Sequence, residues 1–309
     1  MRKLFLLLAC LPLLAAPPKG SKNYLRIPVW MSGPNGDTAA LTAQDFTAKL
    51  DGQPARILAL RGPADDLMVL LVLDLTEELG LAEIAKEALG SALQSLPPKA
   101  QVALLRAQDG LRVLLDPATD RTALGQAVQA QPVSGKAGLL DTVETASRIA
   151  DSILEKAAVR LALVYVTDSN IYNYRADYIN PVINYSDYHD LSRYFPEGLV
   201  KEKISKLEGK LAGFEAPLFI LHLNYRSDRL NEAYQTGLMQ LAGATGGSSV
   251  FCRSRAEIPE AIANAFHTIA SHYSLDIQLP ERPSKALPVQ LESGGRALTY
   301  RSRFVFQEK

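Results

Sequence analysis

LMVLLVLD at residues 67–74 and VRLALVYVTD at residues 159–168 are apolar runs with almost no polar alternation, and each stops on an aspartate. A strand without a polar face has no side to give to water, so both runs must be covered on both faces. Segments with helical spacing fall between the strand-like runs. LAEIAKEALGSALQSL is stopped by Pro97-Pro98, and LLDTVETASRIADSILEKA precedes the second run. APLFILHL and SSVFC continue the strands, with helical stretches at 197–214, 230–247 and 257–273 around them. Strand and helix in alternation, with buried strands, specify an α/β fold with a doubly wound, mostly parallel sheet over residues 65–273.

Outside that body the pattern changes. Residues 23–62 and 274–309 read as short strands broken by turns such as GPNGD and SGG. Each set alone is too short to hold a core, so the two are expected to pair into one small β-module. Residues 1–16 have a basic start (Arg2, Lys3) and an apolar centre interrupted by Pro12, the pattern of an export signal rather than a membrane span. The expected location is secreted, periplasmic or cell-surface, with no transmembrane span in the mature chain. LLAC ending at Cys10 gives a second reading of the same segment, a lipid anchor on Cys10. After simple cleavage Cys252 is the one thiol left, so no internal disulfide can form.

Lys plus Arg and Asp plus Glu balance at 33 each, which gives no electrostatic case for nucleic-acid binding, though it leaves local charged patches open. One connection is far too long for its fold: residues 170–196, following the second apolar run. It holds Tyr172, Tyr174, Tyr178, Tyr185, Tyr188 and Tyr194, and it starts at the carboxyl edge of the sheet, where open sheets bind ligands. The tyrosines read either as a ligand-contact surface or as an insert packed on itself.

The two strand-end acids, Asp74 and Asp168, are expected to face each other across that edge if their strands are neighbours. Asp74-x-Thr76-x-Glu78 would add a hydroxyl and a second carboxylate from one tight turn, a donor set for a hard divalent cation. These residues, in this order, resemble the von Willebrand factor A domain and its metal-ion-dependent adhesion site, over about residues 65–275. The flanks LTAQDFTAKLDGQPARI and LAGATGGSSVFCRSRAEIPEAIANAFHTIASHYSLDIQL are similar to bacterial exported proteins of the related type. The resemblance implies Mg²⁺ or Ca²⁺ held by Asp74, Thr76, Glu78 and Asp168, with Thr76 and Glu78 in place of two serines. At the position of the family's threonine, GKAGLLDT offers Ala137, which has no oxygen to give. Three outcomes stay open: a weakened metal site, acids retained only as helix caps, or the ammonium of Lys136 standing in for the ion.

No phosphate-binding glycine loop or nucleophile elbow is present, and the four histidines form no close metal pair. The sequence is read as an exported protein-binding or adhesion-type module rather than an enzyme. It would take a protein partner at the top of the sheet through the degenerate metal site and the Tyr-rich loop. The alternatives are a metal-free structural or assembly protein of the cell envelope and, less favoured, a metal-dependent hydrolase.

Overall fold

A computed structural model of the chain describes residues 23–32, 41–174, 196–281, 283 and 285–306. Its centre is a six-stranded sheet made of β5 (Leu67–Asp74), β6 (Gln101–Arg106), β7 (Arg112–Ala118), β8 (Arg160–Thr167), β9 (Leu218–His222) and β10 (Ser249–Phe251). The order is β10-β9-β8-β5-β6-β7, with β7 antiparallel at one edge and the other five parallel. This is the fold class expected from the two apolar runs. All eight residues of β8 are buried, and only Met68 of β5 is partly exposed.

Side-chain alternation along these strands divides the core in two. Val69, Leu71, Leu73, Val164 and Val166 pack under α1 (Leu79–Ser95), α2 (Arg121–Gln129) and α6 (Ile258–Ser271). Leu70, Val72, Leu163 and Tyr165 pack under α3 (Leu139–Lys156), α4 (Pro196–Leu211) and α5 (Arg229–Ala244). Helices α1 and α3 therefore start at the same edge of the sheet but on opposite faces. That division decides where the two strand-end acids turn.

The flanking strands build two four-stranded sheets that share one core. The first has the order β13-β1-β11-β4 and the second β14-β12-β2-β3. These strands are β1 (Tyr24–Ser32), β2 (Thr47–Leu50), β3 (Gln53–Ala55), β4 (Ile57–Arg61), β11 (Tyr273–Gln278), β12 (Ala286–Glu292), β13 (Ala297–Tyr300) and β14 (Arg303–Val305). Both sheets mix strands from the two ends of the chain, and together they enclose a core of Leu25, Ile27, Val29, Leu275, Val289 and Phe304. Two sheets form because each can bury one apolar face against the other.

Buried arginines fasten this module beneath the amino edge of the central sheet. Arg26 of β1 donates to Asp276 at 2.7 Å and to the carbonyls of Leu154 and Ala157 at the end of α3. Arg61 reaches the other oxygen of Asp276 at 2.8 Å. Arg160, at the first position of β8, donates to the carbonyls of Ala270 and His272 at the end of α6 and to those of Pro63 and Asp65. Positive charge beside the exposed carbonyls of a helix end is favourable, and the carbonyls gain donors that they would otherwise lack. Among the described residues the carboxyl edge of the sheet, on the opposite side, is left free of the module.

Candidate functional site at the carboxyl edge of the sheet

The β5–β8 register pairs Asp74 with Thr167, so Asp168 lies one residue beyond its expected opposite. Paired residues on parallel strands share a face and the next residue turns to the other. The two carboxylates accordingly diverge instead of facing each other. Asp74 points to the start of α3, where it accepts the backbone N–H groups of Gly138 at 2.9 Å and Leu139 at 3.3 Å. The hydroxyls of Thr167 and Ser169 donate to its second oxygen at 3.1 and 3.0 Å. Gly138 is required for this approach: a Cβ there would meet the carbonyl oxygen of Ala107 at 1.9 Å.

Asp168 points to the turn that leads into α1. It accepts the N–H groups of Thr76 at 2.7 Å, Glu77 at 3.1 Å and Glu78 at 2.9 Å, and the Thr76 hydroxyl at 3.4 Å. Both aspartates are fully buried. Burial raises the Asp74 pKa to about 6; the bonds from Gly138, Ser169 and Thr167 work against that rise, and the nearby charge of Asp168 adds to it. Strand-end acids here are organisers of backbone: each converts a stretch of loose N–H groups into a fixed turn.

Above them lies a polar rim. Glu78 is the residue before α1, but its side chain makes no cap. Its carboxylate accepts from the Asn224 amide at 2.7 Å and pairs with Arg226 at 3.7 Å. Glu77 accepts from Asn170 at 2.7 Å and from Arg226 at 2.8 Å. Arg226 is held by its own backbone, whose N–H and carbonyl both bond the side-chain amide of buried Gln235, at 2.9 and 2.7 Å. Sequence reasoning passed over Arg226, Asn170, Asn224 and Gln235; their position just after β8 and β9, or facing that edge from α5, is the signal that could have found them.

The remaining expected site residues divide. Lys136 is exposed and its backbone, not its ammonium, is engaged, with Asp109. The proposed cation substitute is therefore corrected: backbone N–H groups and hydroxyls, rather than an ammonium, meet the two acids. Ala137 is buried, and its N–H donates to the Asn173 carbonyl. Tyr172 is 55 % exposed and donates to Asp228 at 3.3 Å. Tyr174 is not a contact residue. It is buried in the core under α3 and α5, with its hydroxyl 2.9 Å from that of Tyr234. A short 3-10 turn at Ile171–Asn173, capped by the Asn170 side chain, folds the chain back and carries Tyr174 inside. Tyr178, Tyr185, Tyr188, Tyr194 and Cys10 lie outside the described residues.

Strand order, the antiparallel edge strand, the helices on both faces and the two strand-end acids together decide the architecture. The fold is similar to that of the von Willebrand factor A domain. No protein-family model matches the sequence, and no curated protein matches it. Among solved structures, an aerotolerance-related membrane protein from Bacteroides fragilis is 14% identical, with 66% of this chain and 98% of that one covered and a TM-score of 0.40. A von Willebrand factor type A protein from Catenulispora acidiphila is 13% identical over 94% of this chain and 76% of that one, with a TM-score of 0.46. Proximal thread matrix protein 1 from the mussel byssus, with zinc in its MIDAS motif, is 9% identical over 72% and 50% of the two chains, also at 0.46.

Whether this edge suits a divalent ion is decided by its donors. Mg²⁺ keeps several waters and needs one or two protein carboxylates with oxygens to spare, and Ca²⁺ takes six to eight oxygens. Here four donors already meet the Asp74 oxygens and four meet those of Asp168. Glu78 is drawn to Asn224 and Arg226, and Ala137 offers nothing. Among the described residues no group of three or more His, Cys, Asp or Glu side chains could hold an ion. The residues in this arrangement do not fit Mg²⁺ or Ca²⁺.

The nearby histidine is held in its neutral form. Burial lowers the His222 pKa to about 4, although the Ser169 carbonyl, 2.9 Å from Nε2, favours the protonated ring. Nδ1 accepts the Asn224 N–H at 3.3 Å, which assigns the proton to Nε2 in a neutral ring. Cys252 is buried, and burial raises its thiol pKa to about 11, so it is inert.

Proposed function

We propose that the chain is an exported binding module that engages a protein partner at the carboxyl edge of the central sheet without a divalent metal. The supporting observation is the closure of both strand-end acids by backbone N–H groups and hydroxyls, while the rim above them presents Glu77, Glu78, Arg226 and Tyr172. Closure fixes the turn before α1 and the start of α3, so the rim stands on a rigid base, as a binding surface requires. Among the described residues the module packs at the opposite edge and does not cover this surface. Export is taken from the basic and apolar pattern of residues 1–16. Among the described residues no helix is long and apolar enough to cross a membrane.

Binding is preferred to catalysis because the titratable groups near the edge are spent. Asp74, Asp168 and His222 are buried and hydrogen-bonded, and among the described residues no free base stands beside an open nucleophile. The test is capture of envelope proteins on immobilised full-length chain, in Mg²⁺ and in chelator. Equal capture in both supports the reading; capture that chelator abolishes overturns it, as does an absence of any captured protein.

A further inference from the structure

We infer that an acidic protein segment is the partner, and that it docks on a corner of the rim where Arg226, Arg253 and Arg255 converge around the first turn of α1. This rests on the proposed binding role of the carboxyl edge and names the chemistry it would recognise.

The three arginines arrive from the ends of two adjacent strands. Loops after β9 and β10 are tied together, with the Tyr225 N–H donating to the Cys252 carbonyl at 2.9 Å and the Cys252 N–H to the His222 carbonyl at 2.8 Å. Arg226 leaves the first loop toward Glu77 and Glu78. Arg253 leaves the second, and its guanidinium carbon lies 5.2 Å from the centre of the Tyr225 ring, a cation–π contact that holds the exposed side chain over the loop. Arg255 lies across the start of α1. A Cβ on Gly80 would come within 3.3 Å of its guanidinium, so the bare backbone there makes room for it.

These arginines are not equally occupied. Arg226 spends one nitrogen on two glutamates. Among the described residues, no carboxylate pairs with Arg253 or Arg255. Glu257, close in sequence to both, uses its carboxylate on the Arg253 N–H and the Ser254 hydroxyl. Beside them Leu79 is 63 % exposed. The corner thus offers two exposed guanidinium forks outside ion-pair distance of any described carboxylate, one of them stacked on Tyr225 and facing the charge of Glu257, and an apolar side chain. Arg and Tyr are the residues that concentrate binding energy at interface centres, and the guanidinium fork matches a carboxylate. A partner segment with acidic residues spaced about an apolar one would meet the forks and cover Leu79. Nucleic acid is a poorer match, since two guanidiniums neutralise few phosphates on a chain with balanced charge.

The test uses the full-length chain and a dye-labelled peptide of alternating Glu and Leu, read by fluorescence anisotropy, with a Lys-and-Leu peptide as control. The wild type is expected to bind the acidic peptide in a salt-sensitive manner, and the Arg253→Gln/Arg255→Gln double variant about tenfold more weakly. An Arg253→Lys/Arg255→Lys variant, which keeps the charges and loses the forks, is expected to fall between them. Circular dichroism of each variant confirms folding, which substitutions at exposed side chains should leave intact. Absence of binding to the acidic peptide, equal binding of the basic one, or undiminished affinity in the Gln variant overturns the inference. So does binding of phosphatidylserine vesicles without peptide binding. In the capture experiment the two claims separate: chelator-resistant capture that survives in the Gln variant refutes the acidic partner alone, whereas chelator-sensitive capture refutes the metal-free reading.

Discussion

Thr167, not Asp168, stands beside Asp74 in the β5–β8 register, and its hydroxyl donates to the Asp74 carboxylate at 3.1 Å. From that one-residue offset the rest of the edge follows. Asp74 turns to α3 and Asp168 to the loop before α1, and two acids that could have shared a cation instead organise two different turns.

Removing the Asp168 charge should loosen the turn before α1. Asp168→Asn keeps the shape but weakens three bonds from the N–H groups of Thr76, Glu77 and Glu78. A loss of about 2 kcal/mol is expected, since bonds to charged groups carry more than neutral ones. Urea unfolding gives the stability. Hydrogen exchange should show faster exchange at these three amides, and unchanged protection there would argue against the capping role.

The pH dependence of stability should carry the mark of Asp74. Its folded pKa of about 6 exceeds the ordinary 3.8, so the folded state binds more protons between those values. Stability from this group is full below about pH 4 and is lost as pH rises through 6, by about 3 kcal/mol. His222 and His272, both lowered by burial to about 4, act in the opposite sense, adding stability as pH rises from 4 toward 6.5. The wild-type profile mixes these effects, so the comparison with Asp74→Asn isolates the acid. Relative to wild type, the variant should gain stability across pH 4 to 6; parallel profiles would show that Asp74 titrates normally.

Gly138→Ala tests the approach that lets α3 begin on Asp74. The added methyl would meet the Ala107 carbonyl at 1.9 Å, so the loop must move and the N–H of Gly138 must leave the carboxylate. A destabilisation of about 2–3 kcal/mol is expected from overpacking together with the lost bond. Gly90→Ala, which would meet nothing within 4 Å on α1, is the matched control and should stabilise slightly.

At the far edge, Arg26→Met should cost about 3 kcal/mol or more. It leaves Asp276 with one guanidinium and strips donors from the end of α3. Burial works against the Asp276 charge, but hydrogen bonds from Arg61 and Arg26 outweigh it and hold the carboxyl below its usual range. The stability it supplies is therefore present above the ordinary Asp value and lost as pH falls through the folded one. Acid unfolding of Arg26→Met should accordingly begin at higher pH than that of wild type.

The fold was legible because β5 and β8 are covered on both faces, and complete coverage writes itself into sequence as unbroken apolar runs. Strand-end acids were legible for the same reason, as the first polar residues after those runs. Their directions were not. A register offset of one residue is invisible when neither strand has a polar face to fix it. The partners that close the acids are mostly backbone N–H groups, which every sequence supplies and none advertises. Lys136 was placed near the acids because it neighbours Ala137, the position that the family resemblance put at the metal, yet its side chain points to solvent. Tyr174 was counted with a surface cluster, and a 3-10 turn too short to have a period carries it into the core. Pairing of the flanking strands into two sheets depends on contacts such as Tyr24 with Gln278, which link opposite ends of the chain.

Isothermal titration of the full-length chain with Mg²⁺, Ca²⁺ and Mn²⁺, beside Asp74→Ala, tests the metal-free edge most directly. The donors already seated on Asp74 and Asp168 predict no saturable heat with any of the three ions. A stoichiometric binding isotherm that disappears in Asp74→Ala would contradict the account.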